Sequence, residues 1–277
     1  YGPIEMNPAT VVLHYAQETF EGLKAYRRAD GQIQLFRPEM NARRMINSNE
    51  RLCMATIPED MFIEAVNALV KAEEDWVPSE PETSLYIRPF AFACESSLGV
   101  HKSKAYKFVI ILSPVGAYYA EGLAPVKIMV EDEYVRAVQG GTGFTKCGGN
   151  YAGSIIGQVK AEKYGCSQVL WLDGRERKYV EEVGAMNIMF KIDGEIYTAP
   201  IEGTVLPGVT RDSIIHILKD WGYKVNETHL SVDDLMQAGR DGRLEEVYGT
   251  GTAAVISPVG ALVYKGEEIT INNFKIG

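Results

Sequence analysis

Segments with strand-like and helix-like patterns alternate along the first half of the chain, and this alternation is typical of α/β folds. From Pro58 onwards, apolar residues recur close to the helical period, so a helix is predicted there. Strands are predicted at Ser84–Phe92 and Phe108–Leu112, which are short apolar segments. Pro114-Val115-Gly116 interrupts the pattern, and we place a domain boundary near it.

The chain is predicted to fold as two α/β domains with mixed sheets. Its 277 residues exceed the roughly 150 residues of an average domain. The predicted parts are a small N-terminal domain at 1–114, a linker at 115–123 and a larger C-terminal domain at 124–277. Further strands are predicted at Gln32–Arg37, Lys127–Val130, Val169–Leu172, Asn187–Ile192 and Glu195–Tyr197, the last two as a hairpin around Asp193-Gly194. Helices are predicted after Pro38, at about Tyr151–Tyr164 and at Thr210–Trp221, with a capping box at Ser231–Asp234. Strands are predicted in 247–271, with a turn at Gly249–Gly251.

The composition excludes several classes of partner. The chain has 28 Lys and Arg against 37 Asp and Glu, a formal net charge of -9, which disfavours nucleic acid and anionic membranes. The four cysteines and four histidines are scattered, so neither a disulfide scaffold nor a metal site is expected. No apolar run reaches the roughly 18 residues of a membrane span, and no signal-peptide pattern opens the chain. A cytoplasmic protein is therefore expected.

The glycine-rich segment at 140–149 contains a single lysine, Lys146, and leads into the predicted helix. Glycines allow a backbone to approach a ligand closely, and a lysine in a dry, crowded place can act as a Schiff-base nucleophile. A P-loop does not fit, because Thr145 precedes the lysine where glycine is required and Cys147 follows it where Ser or Thr is required. A plain surface turn with a solvated lysine remains an alternative for this segment.

Three later segments add polar groups of the kind that bind a charged ligand. Glu181-Glu182 lies just before a glycine turn, where a carboxylate could pair with a protonated pyridine nitrogen. Leu206–Arg211 leads into a helix, whose first N–H groups can bind an anion. Gly249–Ala254 is a second segment rich in N–H groups and hydroxyls. The alternatives are a solvated strand-edge glutamate, an ordinary threonine N-cap and a plain hairpin loop.

Taken together, these segments resemble those of the branched-chain amino acid aminotransferases, which are fold type IV enzymes of the class IV aminotransferase family. The resemblance covers nearly the whole chain. It implies a two-domain fold with a smaller N-terminal α/β domain and a larger domain with a barrel-like core. The matching segments are Leu13–Tyr26, Leu35–Pro38, Ser84–Pro89, Ser97–Val100, Ser113–Tyr119, Lys146–Tyr151, Gln168–Leu172, Glu182–Asn187 and Gly251–Ala253.

The resemblance implies pyridoxal 5′-phosphate as the cofactor. Lys146 would be the lysine that carries it and, once freed by the substrate, moves the proton. Glu182 would hold the proton of the pyridine nitrogen, and Tyr151 would hydrogen-bond the phenolic oxygen. The residues implied for the phosphate are Arg44, chosen over Arg43 by its register, together with Val209, Thr210 and Thr252.

The resemblance also implies a substrate pocket that accepts both an aliphatic side chain and a carboxylate. Arg88 would receive the distal carboxylate of glutamate or 2-oxoglutarate through a charge-assisted pair. Apolar walls would bury the aliphatic chain at about 0.8 kcal/mol per CH₂. Without the resemblance, core packing of the aromatic residues and a buried ion pair of Arg88 would be the simpler interpretations. The implied walls are Tyr15, Phe20, Tyr86, Tyr118, Ala185 and Val100, the last from the partner subunit, and Thr252 and Ala253 would bind the α-carboxylate.

The implied reaction transfers the amino group of L-leucine, L-isoleucine or L-valine to 2-oxoglutarate, and the reverse, by a ping-pong mechanism in a homodimer. A D-amino acid aminotransferase or an aminodeoxychorismate lyase of the same fold is the nearest alternative. A catalytically silent homologue, or a nucleotide-binding module that uses the 140–149 loop, is an alternative of a different class.

Three departures from the family pattern are visible. Ala185 stands where many members have threonine. Ala254 and Ser257 replace a CxxC pair of mammalian members, so thiol switching is not expected there. The family's N-terminal segment and C-terminal helix are not part of this sequence.

Overall fold

The computed structural model describes residues 2–116, 124–253 and 255–277. The chain packs as two compact units, one formed by Tyr1–Ala117 with Thr145–Gly149 and the other by Tyr118–Phe144 with Asn150–Gly277. Thr145–Gly149 therefore packs with the first unit, although its sequence neighbours on both sides belong to the second. The domain bounds predicted from the sequence stay a prediction, and most of the predicted linker lies outside the described residues.

The first unit contains an antiparallel sheet that helices cover on one face. Among the described residues its strands are β1 (Glu18–Phe20), β2 (Leu23–Arg27), β3 (Ile33–Leu35), the long central β4 (Ser84–Ala93) and β5 (Tyr106–Val115), and its helices are α1 (Val11–Tyr15), α2 (Pro38–Arg51) and α3 (Glu59–Ala72). Strand β4 pairs with β5 along one edge and with β1 and β2 along the other, and β3 pairs with β2.

The alternation of side chains along β4 separates a core face from a polar face. Leu85 and Ile87 are fully buried and belong to the same core as Phe62 of α3. Because successive side chains of a strand point to opposite faces, Tyr86 and Arg88 lie on the side of the sheet away from that core. The predicted strands at 84–92 and 108–112 are confirmed, and each extends slightly further.

Both predicted helices of the first unit are confirmed. Pro38 is the first residue of α2, where its missing N–H costs nothing, and α3 has acidic residues in its first turn, where the helix dipole favours them. The strand predicted at Gln32–Arg37 is shorter, because Arg37 adopts a left-handed conformation just before α2 and ends the extended segment.

The second unit is built around a closed ring of strands, in keeping with the expected barrel-like core. Among the described residues the ring consists of β6 (Val126–Glu131), β7 (Gln168–Leu172), β8 (Val180–Val183), β9 (Met186–Ile192), β12 (Leu244–Gly251) and β13 (Val255–Tyr264), with β10 (Glu195–Thr198), β11 (Val225–Glu227) and β14 (Glu267–Thr270) added to it. The strands pair around the ring in the order β8-β9-β12-β13-β6-β7 and back to β8, and apolar side chains form the core.

Local signals determine several elements of this unit. Asp193 and Gly194 both have positive φ in the tight turn between β9 and β10, which confirms the predicted hairpin. The Ser231 hydroxyl accepts the Asp234 N–H (3.0 Å), which confirms the predicted cap. The helices that complete the description are α4 (Gly148–Ala152), α5 (Ile155–Lys163), α6 (Val209–Asp220) and α7 (Val232–Arg240).

Two predicted elements are wrong. The single helix expected at 151–164 is two helices, because the chain breaks at residues 153–154, where the Ser154 hydroxyl donates to the Asn150 carbonyl (2.6 Å) and competes with helical pairing. The turn expected at Gly249–Gly251 is the end of β12, which pairs there with β13 and β9.

No helix among the described residues combines the length and the apolar composition that a membrane crossing requires.

Candidate active site

Lys146 is held against β1 and α2 by its own backbone. Its carbonyl accepts the Phe20 N–H (3.0 Å), and its N–H donates to the Ser48 hydroxyl (3.0 Å). Two residues later, the Gly148 N–H donates to the Glu18 carboxylate. These backbone contacts fix the path of the loop. They do not involve the lysine side chain. Its ammonium lies 4.7 Å from the centre of the Phe20 ring.

The polar face of β4 brings Arg88 to the same ring. The Arg88 guanidinium lies 4.6 Å from the centre of the Phe20 ring and donates to the Tyr86 hydroxyl (2.8 Å). Phe20, Tyr86, Arg88 and Lys146 were all predicted as site residues, and in the structure they form one cluster. The cluster combines aromatic surface with two cations, an arrangement suited to an apolar side chain next to a carboxylate.

Two other predicted wall residues lie at the surface of the first unit. The Tyr15 hydroxyl donates to the Leu98 carbonyl, which ties the end of α1 to the loop that precedes Val100. Val100 is 81% exposed and makes no wall within its own chain in the described residues. Tyr118, the remaining predicted wall of the N-terminal half, lies outside the described residues.

Arg44 and Arg43 have different surroundings. Arg44 is buried and forms a two-bond pair with Glu21 (2.8 and 2.7 Å), whose carboxylate also accepts the Asn41 side-chain amide (2.8 Å). Arg43 is exposed and pairs with Glu59. The sequence reasoning named Arg44 but missed Glu21, whose place in a segment of mixed polarity gives no signal of a buried ion pair.

In the second unit, Glu182 is a buried carboxylate with several donors. One oxygen accepts the Leu206 N–H (2.8 Å) and the Asn187 side-chain amide (3.1 Å), and the other lies 2.9 Å from the Arg136 Nε. Charge-assisted contacts of this kind favour the ionised carboxylate. Because the site of Glu182 is preorganised in this way, its carboxylate can hold a cationic group of a ligand.

Arg136 was missed by sequence reasoning, and it joins three segments of the second unit. Besides its contact with Glu182, it donates to the carbonyls of Thr204 (2.9 Å) and Gly143 (3.2 Å). A side chain at position 143 would overlap the Thr204 carbonyl, so the glycine is required for this close approach. The contacts span up to 68 residues of sequence, which no local pattern can indicate.

Helix α6 begins after a glycine. Gly208 is the N-cap and offers no side-chain cap, so Val209 and Thr210 are the first residues of the helix. The alternative of an ordinary threonine N-cap at Thr210 is therefore wrong. Asn187 also connects this end of the helix to Glu182, since its amide donates to the Leu206 carbonyl (2.9 Å).

The remaining predicted residues lie at turns and in a short helix. Thr252 and Ala253 follow the end of β12, Ala185 is exposed between β8 and β9, and Tyr151 lies within α4. Thr250, on β12 opposite Asn187, has a buried hydroxyl with no partner among the described residues. Cross-strand neighbours share a face of the sheet, so this hydroxyl is on the same face as Asn187. Ala254 lies outside the described residues.

Comparison with known proteins gives the family. Residues 18–262 match the family Amino-transferase class IV. The chain is 55% identical over 277 residues to branched-chain-amino-acid aminotransferase 2 of Bacillus subtilis (strain 168), covering 100% of this chain and 76% of that protein. Its fold is similar to that of the T.th. branched-chain amino acid aminotransferase with pyridoxamine 5′-phosphate, with a TM-score of 0.83 and 29% identity over 99% of this chain and 84% of that one.

The same T.th. enzyme complexed with N-(5′-phosphopyridoxyl)-L-glutamate is similar with a TM-score of 0.79 and 28% identity, again over 99% and 84% of the two chains. Class IV aminotransferases use pyridoxal 5′-phosphate, in keeping with the cofactor expected from the sequence. The family match covers most of the chain, and the Bacillus relative is similar along all of it. The chain therefore belongs to the class IV aminotransferase family, in its group of branched-chain amino acid aminotransferases.

Proposed function

We infer that the chain transfers the amino group of L-leucine, L-isoleucine or L-valine to 2-oxoglutarate, and back, in two half-reactions of a ping-pong cycle. The observation that carries this inference is the cluster in which the cationic groups of Lys146 and Arg88 lie 4.7 and 4.6 Å from the centre of the Phe20 ring. In this cluster the Lys146 amine, which could carry the cofactor, and the Arg88 guanidinium, which could pair with a carboxylate, both lie next to aromatic surface. The named activity of the Bacillus relative and the glutamate adduct of the T.th. enzyme support the choice of substrates.

The residues present fit pyridoxal 5′-phosphate. The Glu182 carboxylate, which pairs with Arg136, suits a protonated ring nitrogen, and the start of α6, which has no side-chain cap, suits a phosphate. The Thr250 hydroxyl, for which the described part of the chain offers no partner, adds a polar group on the face of Asn187. When bound, the cofactor supplies the electron sink that weakens the substrate Cα–H bond. The holding residues would be Lys146, Glu182, Tyr151, Arg44, Val209, Thr210 and Thr252.

Lys146 would act as the acid and base of the reaction. Its Nζ would take the proton from the substrate Cα in one half-reaction and return a proton to Cα in the other. The backbone bonds from Phe20 and to Ser48 support this role, because they fix the loop from which the lysine extends. The Phe20 ring, whose centre lies 4.7 Å from Nζ, gives the lysine an apolar neighbour.

The cluster around Phe20 would bind both substrates, one in each half-reaction. Phe20 and Tyr86 would cover the aliphatic side chain of the branched-chain substrate, and Arg88 would pair with the distal carboxylate of the second substrate. Further walls would come from Tyr15, Tyr118, Ala185 and the partner subunit's Val100, and the turn at Thr252 and Ala253 would receive the α-carboxylate through its N–H groups.

A homodimer fits the exposed apolar residues of the 98–100 loop. Leu98 is 66% exposed and Val100 is 81% exposed, and both would be covered if this loop reached the pocket of a second copy. Size-exclusion chromatography with light scattering would report the mass in solution. A monomer that is fully active would contradict this assembly.

The proposed function is tested by the visible spectrum of the protein loaded with pyridoxal 5′-phosphate. We expect L-leucine without acceptor to bleach the absorption band of the bound cofactor and 2-oxoglutarate to restore it. Lys146→Ala should do neither. An Arg43→Ala variant, which alters an exposed ion pair of the first unit, serves as the control and should respond like the wild type.

Three other outcomes would contradict the proposed substrate, the binding of the cofactor or the role of Lys146. Bleaching by D-alanine but not by L-leucine would indicate a D-amino acid aminotransferase. A protein that forms no cofactor band would be a silent homologue. If Lys146→Ala still responded to leucine, another lysine would have to carry the cofactor.

A further inference from the structure

Glu18 lies on the same side of the first unit's sheet as the substrate cluster. It is the first residue of β1, two positions before Phe20, so the two side chains leave the strand on the same face. Thr19, between them, points the other way, where its buried hydroxyl donates to the Asn49 side chain. Glu18 is therefore a carboxylate on the face that carries Arg88 and Lys146.

Gly148, two residues after Lys146, leaves room for the Glu18 carboxylate. The Gly148 N–H donates to one carboxylate oxygen of Glu18, and a side chain at position 148 would overlap that oxygen. The carboxylate thus occupies space that only glycine leaves open. This contact joins β1 to the loop of Lys146 by a second bond, besides the one from the Phe20 N–H to the Lys146 carbonyl.

The charge of Glu18 is opposed by burial and supported by one cation. Burial raises the pKa of Glu18, and the Gly148 N–H and the positive charge of Arg88 lower it, with burial the largest effect. The other titratable groups on this face of the described sheet are Tyr86 of β4, Lys24 and Tyr26 of β2, and Lys107 of β5, which lies across Phe92 from Glu18. Lys146 and Cys147 lie on the loop, and burial lowers the pKa of Lys24. Arg88 is thus the cation whose charge lowers the pKa of Glu18, against the larger effect of burial.

The net charge around Arg88 differs between a pocket that holds an aliphatic substrate and one that holds a dicarboxylate. With an aliphatic side chain bound, Arg88 is a partly buried cation that needs a counter-charge. With a dicarboxylate bound, Arg88 pairs with the incoming carboxylate, and a second carboxylate nearby is then repelled. A fixed charge at position 18 could suit only one of these two states.

We propose that Glu18, on the sheet face that carries Phe20 and Arg88, adjusts the charge of the pocket to the substrate: it stays ionised when an aliphatic substrate is bound and takes up a proton from solvent when a dicarboxylate pairs with Arg88. This inference rests on the proposed role of Arg88. It makes Glu18 a specificity-determining residue, because the protonatable carboxyl allows one pocket to accept two classes of substrate. Glutamine at this position would accept the Gly148 N–H but could not carry the charge.

Calorimetry on the enzyme loaded with pyridoxal 5′-phosphate tests the proposal by counting protons. The unreactive probes are glutarate, a dicarboxylate, and 4-methylvalerate, which has the carbon skeleton of leucine without the amino group. Binding enthalpies in phosphate and in Hepes, at several pH values between about 5.5 and 8, give the number of protons taken up. The wild type should take up ~0.3 to 1 more proton per site with glutarate than Glu18→Gln does. With 4-methylvalerate the two should agree.

The comparison with Glu18→Gln cancels any proton that glutarate itself takes up. Glu59→Gln, which removes an exposed carboxylate of the same unit, is the matched control and should behave like the wild type. Equal proton uptake by the wild type and Glu18→Gln would overturn the proposal. If Glu18→Gln did not hold the cofactor, the pH dependence of the wild type alone would decide. The dissociation constant of glutarate must then rise with pH relative to that of 4-methylvalerate, and a constant ratio, after correction for the titration of free glutarate, would overturn the proposal.

A second variant separates this inference from the proposed function. Arg88→Met should weaken glutarate binding at least tenfold and leave 4-methylvalerate binding within a factor of about three. If Arg88→Met left glutarate binding unchanged, the proposed role of Arg88 would fail, and the present inference with it. If Arg88→Met weakened glutarate binding while the wild type and Glu18→Gln took up equal numbers of protons, only the role of Glu18 would fail.

Discussion

Two adjacent buried carboxylates on β8 have different surroundings. Glu182 has an arginine, a side-chain amide and a backbone N–H, whereas Glu181 accepts one bond from the Thr204 hydroxyl (2.6 Å), and its other oxygen has no partner among the described residues. Burial raises the pKa of Glu181, with a further increase from the charge of Glu182, against lowering by Thr204 and Arg136. As the pH falls, Glu181 therefore takes up its proton more readily than an exposed glutamate does.

This raised pKa predicts a pH-dependent stability at residue 181. A carboxyl whose pKa is higher in the folded than in the unfolded state stabilises the fold fully below its unfolded pKa, and this stability is lost as the pH rises through the folded pKa. Glu181→Gln keeps the acceptor for Thr204 and removes the charge. We expect the variant to be more stable than the wild type by about 1 kcal/mol at pH ~8, with a smaller difference at pH ~5.

Urea unfolding at the two pH values measures this difference. Glu176→Gln, an exposed position on the loop between β7 and β8, should change stability equally at both. The interpretation of Glu181 would be wrong if the advantage of Glu181→Gln were the same at both pH values or larger at the lower one.

Arg136 gives a second prediction at this scale. Arg136→Gln removes the cation from Glu182 and cannot reach both carbonyls, so we expect a loss of ~3 to 5 kcal/mol in stability and at least tenfold weaker binding of pyridoxal 5′-phosphate. Chemical unfolding and fluorescence titration of the apoprotein measure the two effects. Lys160→Gln removes a cation from Glu131, another buried carboxylate of the same unit, and is the matched control. It should lower stability without a tenfold effect on cofactor binding.

The residues that could be predicted from the sequence are those that stand in matched motifs. Lys146, Glu182 and Arg88 were named in this way, and their surroundings in the structure are compatible with the proposed roles. Their supports, Arg136 and Glu21, were not named, because a buried ion pair forms between segments distant in sequence and leaves no periodic signal. Glu18 was not named either, because its partner, the Gly148 N–H, lies 130 residues away in sequence.

At the scale of elements, helix α5 packs closely on strand β7. A side chain at Gly157 would lie 2.5 Å from the ring of Trp171, which is fully buried. Gly157→Ala gains up to ~1 kcal/mol of helix propensity but overpacks the core at a cost of ~1 to 3 kcal/mol. We therefore expect a net loss of up to about 2 kcal/mol in thermal or urea unfolding.

The comparison is with Gly116→Ala, where a methyl group meets open space and φ is not positive. That variant should leave stability within ~0.5 kcal/mol of the wild type. A stabilised Gly157→Ala would mean that the helix can move away from Trp171 and that propensity dominates.

The elements that were predicted correctly have clear local signals, such as the hairpin turn at Asp193-Gly194 and the cap at Ser231. Strands β1 and β2 were not predicted from periodicity. Their polar residues Glu18 and Lys24 lie on the face of the sheet that carries the candidate site, and polar side chains there obscure the alternation that marks a strand. Function thus reduces the signal from which the fold is predicted.

At the scale of the whole molecule, the segment Thr145–Gly149 predicts a pattern of hydrogen exchange. The amides of Lys146 and Gly148 donate to Ser48 and Glu18, both in the first unit. Their protection should therefore follow the stability of that unit. Phe62→Ala, which opens a cavity in the first unit's core, should speed their exchange, whereas Phe190→Ala in the second unit's core should affect them less.

Exchange measured by NMR or mass spectrometry distinguishes these cases. Exchange at Lys146 and Gly148 that followed only the second unit's core variant would contradict the assignment of this segment to the first unit. Equal sensitivity to both variants would mean that the two units open together.

The same segment bears on how such a protein can be recombined with its relatives. A hybrid gene joined once, near residue 117, would take β1 from one parent and the loop of Lys146 from the other. Three junctions, near 117, 144 and 149, are needed to inherit each compact unit whole. A library of hybrids made with single crossovers should therefore lose activity more often when the parents differ at positions 18, 20 and 48, and a swap of five residues should restore it.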